Sequence, residues 1–159
     1  RKAYESSGLE VPDDLVVESA AYDQASSALA TAELLGRAKS FSSLVVFNDL
    51  MAASALKQLM GQGFRVPADI SLATFGDGFA RFTDPELTTM AFSHEVLARE
   101  AARTLLDRIE GRHVGAPALH MGRANILIRD STRTVWSRRF PFNLSFTVSD
   151  GGSATDPAE

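Results

Sequence analysis

The chain has 159 residues, 45% of them apolar and 23% charged, which suits one globular domain rather than two. A net charge of -4 gives no overall basic field for nucleic-acid phosphates. The absence of cysteine excludes disulfides, thiolate metal sites and a cysteine nucleophile. No run approaches the ~20 apolar residues that span a bilayer and no signal peptide is visible, so a cytoplasmic location is expected.

The chain opens with Arg1-Lys2-Ala3-Tyr4 rather than Met, in a pattern that reads as the last turn of a helix closed by Gly8. A chain that starts inside a helix is expected to be a piece of a longer one. After Pro12, the β-branched stretch "LVVES" (15–19) predicts a short strand. Asp23 then caps a helix with Ala25, Ala28, Leu29 and Ala32 on its apolar stripe and Gly36 as its stop. "SLVVF" (43–47) is continuous instead of alternating, which predicts a strand covered on both faces. Asp49 is the expected N-cap of the next helix, with Ala52, Ala55, Leu56, Leu59 and Met60 facing the core and Gly61 and Gly63 at its end. "DISLATF" (69–75) is the following strand. Strand and helix in alternation with short joints predict an α/β fold, a parallel sheet with helices on both faces.

A polar, glycine-containing loop (76–85) leads to "LTTMAF" (87–92), a strand or extended crossover. Ser93 caps a helix whose stripe is Ala98, Ala101, Ala102, Leu105, Leu106 and Ile109, ending at Gly111. "ALHM" (118–121) and "NILIR" (125–129) read as a terminal hairpin. Residues 142–148 alternate as a strand would, and 150–159 have a disordered composition. Arg129, Arg133, Arg138 and Arg139 read as a solvated end, not a DNA patch.

In open α/β sheets, ligands bind beyond the carboxyl ends of the strands, where loops and helix N-termini converge. That rule selects Tyr22, Asn48, Asp49, Gly76 and Asp77. Carboxylates and carboxamides hydrogen-bond hydroxyl-rich ligands in pairs, and an aromatic face stacks on a sugar or base. Asp49 has a sufficient structural role as a cap; Asn48, directly after a buried run, is either a turn residue or a ligand contact. His94, His113 and His120 are too dispersed for a metal site. Ser42-Ser43 lacks nucleophile-elbow glycines, "FGDGF" (75–79) is no GxGxxG, and Trp136 reads as packing. No cofactor or catalytic set is expected, which leaves an α/β enzyme using Asp49 and Asp77 as the weakest alternative.

"VVFNDLMAASALKQLMGQGFRVPADISLATFGD" (45–77), "DPELTTMAFSHEVLAREAARTLLDRIEG" (84–111) and "ILIRDST" (126–132) resemble the LacI/GalR family of bacterial transcription regulators. The resemblance runs to about Thr132 and rests on the order of the motifs: the Asn-Asp helix, the phrase from Gly63 to Ser71, and the crossover from Pro85 to Thr89. It implies a two-lobed, periplasmic-binding-protein-like (type I) effector domain, incomplete here. Residues 1–86 would be the second lobe, 87–132 the crossover and the C-terminal part of the first, and 133–159 a tail. The helix-turn-helix, most of the first lobe and the first strand of the second are expected to lie outside this chain. The implied protein is a homodimer that binds a small sugar-like effector between its lobes, without a cofactor, and operator DNA through the helix-turn-helix. The effector acts through its differential affinity for two lobe arrangements. Asn48 matches the family's ligand-contacting Asn and Tyr22 an aromatic that stacks on ligand; Asp49, Asp77 and Phe92 complete the implied site. Gly76 stands where the family often has Asp, and Phe92 where it often has Gln, so the pocket is less polar than a hexose site. A sugar-binding protein of a transport system is the alternative on the same fold.

Overall fold

The computed structural model describes residues 2–38, 40–112, 115 and 124–134. Helix α1 (Lys2–Glu5) and a 3-10 turn (Asp13–Leu15) precede helix α2 (Gln24–Arg37), strand β1 (Ser43–Val45), helix α3 (Asp49–Gly61) and strand β2 (Ser71–Phe75). A second 3-10 turn (Ala80–Phe82) leads to strand β3 (Thr88–Phe92), helix α4 (His94–Ile109) and strand β4 (Ala124–Leu127). The sheet order is β1-β2-β3-β4, with the first three strands parallel and β4 antiparallel to β3. The predicted α/β sheet therefore forms, with an antiparallel strand at one edge.

Register divides the sheet's side chains between two faces. Leu44 pairs with Leu72, and Thr74 with Thr89, so these four share one face. That face meets α3 and the Ala80 turn in a cluster of Ala52, Leu56, Leu72, Ala80 and Leu87, flanked by Leu44, Val46 and Val66. Burying each leucine side chain is worth about 1.5–3 kcal/mol. Just past the end of α3, Gly63 has a φ of +87°, which lets its N–H reach Met60 O and the Phe64 N–H reach Leu59 O. The same closure recurs at Gly8 and Gly111.

Past β4 the chain returns across the sheet at Ser131, which is fully buried. Its N–H donates to Glu86 O (3.0 Å) and its carbonyl accepts from Leu72 N (2.8 Å). The hydroxyl donates to Leu72 O (2.6 Å) and accepts from Thr88 N (2.8 Å). One residue thus ties the starts of β2 and β3, with its buried polar groups satisfied.

Several expectations give way to the structure. Residues 16–19 form no strand, and no ladder partner lies beside them among the described residues; β1 pairs with β2 on its other edge. An open cleft of about 810 Å³ separates them from β1, lined by Val16, Val17, Leu44 and Val45 among others. Helix α2 turns a different face inward than its apolar stripe suggested: Ser27, Thr31 and Leu34 are buried, while Leu29 is exposed. The reason is close packing on α3 through small hydroxyl residues, the Ser27 hydroxyl donating to Met51 O at 2.8 Å. The helix also runs through Gly36 to Arg37. Strand β1 is half open, with Val45 and Phe47 exposed, and Met60 stands outside the core. Helix α4 forms with its predicted cap, the Ser93 hydroxyl accepting from Val96 N, yet none of its stripe is buried. Strand β4 pairs with β3; residues 118–121, the expected hairpin partner of 125–129, and residues 142–148 lie outside the described residues.

Candidate functional site

The carboxyl ends of β1, β2 and β3 each deliver a phenylalanine and then a turn: Phe47-Asn48, Phe75-Gly76 and Phe92-Ser93. Asn48 is the N-cap of α3, its Oδ1 accepting from Met51 N at 2.8 Å. Asp49 is the first helical residue instead of the cap, a correction to the sequence reading. A cap needs extended backbone, and Asn48 has it, with φ -144° and ψ 164°. The Asn48 carboxamide thus spends its Oδ1 on the cap, and no hydrogen bond engages its Nδ2 donor among the described residues.

Asp49 is buried and ties the helix to the loop after β2, its Oδ2 accepting from Phe79 N at 2.6 Å. A Cβ on Gly76 would lie 3.5 Å from the Asp49 carboxylate and one on Gly78 3.4 Å away, both ordinary contact distances. Gly76 also has φ +88°, which L side chains rarely adopt, and β3 holds it at both ends through Met90 O and the Thr89 hydroxyl.

Asp77 is turned toward Arg129, whose Nη1 lies 2.6 Å from its Oδ1. That oxygen is buried without a well-directed hydrogen bond, so the ion contact is what neutralises it. The Arg129 Nη1 also donates to Leu87 O (2.9 Å), and Nε lies 3.4 Å from Glu86. The close approach of the Arg129 N–H groups and their charge hold the Asp77 carboxyl below its ordinary range, and Asp77 raises Arg129 in return.

The aromatic groups are freer than the polar ones. Tyr22 packs on Phe47 with ring centroids 5.0 Å apart, and both rings are mostly exposed, at 72% and 65%. Phe92 packs on His94 at 4.7 Å. The register puts Val45, Ala73 and Thr88 side by side, so Val45, Phe75, Met90 and Phe92 project from the sheet face opposite α3, and Phe47 follows two residues after Val45. Tyr22 and Phe47 come together, with Asn48 next along the chain; Asp49 and Asp77 flank the Gly76 turn; Phe92 stands at the end of the third strand. The sequence reading left Phe47 and Phe75 out of the candidate site and put Arg129 in a solvated end, whereas its side chain is 16% exposed. The signal for the two rings was their place as last apolar residue of a parallel strand; Arg129 left none short of the fold. Among the described residues no group of three or more His, Asp or Glu side chains gathers to hold a metal ion, and no helix is long and apolar enough to cross a membrane.

A family profile described as "Periplasmic binding protein-like domain" matches residues 2–132. The HTH-type transcriptional repressor CytR of Escherichia coli is 40% identical over 89 residues, 55% of this chain and 26% of its own length. The HTH-type transcriptional regulator CelR of Thermobifida fusca is 31% identical over 132 residues, 82% of this chain and 38% of that protein. Among solved structures, a CelR–cellobiose complex superposes with a TM-score of 0.76 at 31% identity, covering 82% of this chain and 40% of that one. A LacI-type transcription regulator from Bifidobacterium animalis subsp. lactis gives 0.76 at 30% identity, covering 84% and 48%. The chain thus spans less than half the length of each of these relatives.

Proposed function

Because the chain belongs to the LacI/GalR family, as a periplasmic-binding-protein-like effector domain, we propose that it binds a small carbohydrate-like effector and transmits that binding to operator contacts made elsewhere in a homodimeric regulator. Asn48 is the observation that carries this reading. It sits at the carboxyl end of β1, beside the Tyr22–Phe47 ring pair, with its Oδ1 committed to the helix and its Nδ2 free to donate to a hydroxyl. In this reading Tyr22 and Phe92 present ring faces to the ligand. Asp49 and Asp77 shape the rim through their bonds to Phe79 and Arg129. The lobe boundary falls at residues 86–87, and the protein works in the cytoplasm as a regulator, without catalysis. The relatives are named as regulators, which supports this reading over a sugar carrier for transport.

Asn48→Asp and Asn48→Ala test it together. Asp caps a helix as well as Asn does, so Asn48→Asp keeps stability within a few tenths of a kcal/mol while replacing the outward donor with an acceptor. Asn48→Ala loses the cap as well and costs about 1 kcal/mol. Calorimetric titration with a panel of β-glucosides, cellobiose included, should show both variants weakened tenfold or more, in line with ~1.4 kcal/mol for a lost directed hydrogen bond. Unchanged affinity in Asn48→Asp removes Asn48 from the site.

A further inference from the structure

We propose, independently of any effector, that the cleft between β1 and residues 16–19 is a slot for one β-strand, and that residues 142–148 of the same chain fill it. The backbone of β1 points to a strand as the occupant. Ser71 N donates to Ser42 O and Val46 N to Ala73 O, so residues 42, 44 and 46 turn their peptide groups toward β2. The peptide groups of Ser43 and Val45 therefore face the cleft, and no hydrogen bond engages them among the described residues. Across the cleft the chain is already extended, with Val16 at φ -117° and ψ 117°, and Arg37 holds it by donating to Val16 O. A strand seated between them would offer N–H and C=O groups to both sides at the ~4.8 Å strand spacing.

The lining sets the kind of strand. Ala30, Thr31 and Leu34 of α2 and Met51 of α3 line the cleft together with Glu18, Ser19 and Ser43, so it suits an alternating strand better than a wholly apolar one. Phe142, Leu144, Phe146 and Val148 alternate with Asn143, Ser145 and Thr147, between Pro141 and the turn signal Asp150-Gly151-Gly152. The path of the chain brings this segment to the right end of the slot. Arg133 bonds Ser71 Oγ through its N–H and Pro67 O through Nε, and the described residues run to Thr134. Ser71 pairs with Ser43, so Thr134 lies near the starting end of β1, two strand spacings or about 10 Å from the slot. Residues 135–141 reach up to about 25 Å when extended, enough to enter the slot parallel to β1.

The test is amide hydrogen exchange on the full chain, read by NMR. The Ser43 and Val45 amides should exchange about 100-fold or more slower than in an unstructured peptide. Leu144→Lys with Phe146→Lys charges the apolar side and should remove about tenfold or more of that protection, while Ser145→Lys, on the other side, should leave it unchanged. The Leu72 and Ala73 amides of β2 report whether each variant is folded. The chain has no cysteine, so a nitroxide on Ser145→Cys labels one site in the otherwise unaltered protein. It should broaden Val17 and Val45 more than Ile126, which lies on the opposite edge strand. Should the double variant lose β2 protection too, the nitroxide comparison decides alone. Fast exchange at Ser43 and Val45 would show an empty slot, and equal broadening would place the segment elsewhere; either overturns the proposal. Protection that survives Leu144→Lys with Phe146→Lys in a folded chain would mean that another element covers β1. Protection lost on dilution, with a dimer in sedimentation, would assign the strand to a second copy. Both results overturn it as well.

Discussion

Replacing Arg129 by Met should destabilise the chain by about 2–3 kcal/mol. The guanidinium is 16% exposed and serves three partners: Asp77 Oδ1 at 2.6 Å, Leu87 O at 2.9 Å and Glu86 at 3.4 Å. Methionine fills much of the volume but leaves a partly buried carboxylate and a backbone carbonyl without their donor. Stripping one partner from a fully buried pair costs 3–5 kcal/mol. Asp77 keeps 22% exposure, so water recovers part of that, and the loss of the Leu87 bond adds back about 1 kcal/mol. Asp77→Asn keeps an acceptor and leaves Arg129 its other two partners, so it should cost about 1 kcal/mol. Urea unfolding of the two single alanine variants and their double should give a coupling energy of 1.5 kcal/mol or more. A value near zero, or an Arg129→Met variant within 0.5 kcal/mol of the parent, would refute the claim that this pair fastens the loop after β2.

The same pair sets a pH dependence whose sign is fixed. The folded Asp77 carboxyl lies below its ordinary 3.8, so the unfolded state binds more protons than the native state around and below that value. Its stabilisation is complete above pH ~4 and is lost as the pH falls through the folded pKa. Arg129, raised by the pair, stays charged throughout and opens no second window. The slope of stability against pH below 4 should therefore shrink in Arg129→Met.

Two further substitutions probe the rest of the frame. Ser131→Ala leaves Leu72 O and Thr88 N unpaired in a fully buried site, and should cost about 2–4 kcal/mol by chemical denaturation; a change below 1 kcal/mol would show that the backbone bonds of residue 131 suffice. Gly76→Asp restores the carboxylate common in the family at a φ of +88° and beside the Asp49 carboxylate, so it should destabilise more than Gly76→Ala, which meets only the backbone cost of about 1–2 kcal/mol. Equal losses in the two would mean that the charges are screened from one another.

How far the sequence could be read depended on where the partners of each segment lie. Helix α3 was legible because its stripe of Ala52, Ala55, Leu56 and Leu59 meets strands within the same chain, and its glycine end is a local matter of backbone geometry. "LVVES" misled because β propensity states what a pleated, half-buried surface would favour, and among the described residues no strand lies beside 16–19 to pleat against. The stripe of α2 misled for a related reason: apolar spacing identifies a face that could be buried, while a different one is buried at Ser27, which bonds Met51 O of α3, and at Thr31, whose hydroxyl turns back to Ser27 O. The Arg129–Asp77 pair joins positions far apart along the chain, a contact that no local pattern encodes.

The exchange of roles between Asn48 and Asp49 explains why the order of the two residues matters. Both side chains can cap, so spacing alone does not separate them. A capping Asp would spend one oxygen on the helix and offer a second acceptor to the crevice. A capping Asn spends its oxygen on Met51 N and is left with a donor whose direction the cap itself has fixed. The ordering of that donor is then part of folding, and a ligand that accepts from it meets a side chain already held in place. Asp49, one step along, falls where the chain turns inward and the Gly76–Gly78 loop closes over it, so its charge is used to hold Phe79. The double substitution Asn48→Asp with Asp49→Asn, which reverses the pair, would keep a cap and a helix. It would also point an acceptor at the crevice and leave an amide to replace the carboxylate under the loop. The reversed protein should therefore fold and lose the β-glucosides, and retention of their affinity would show that the donor was not what they recognise.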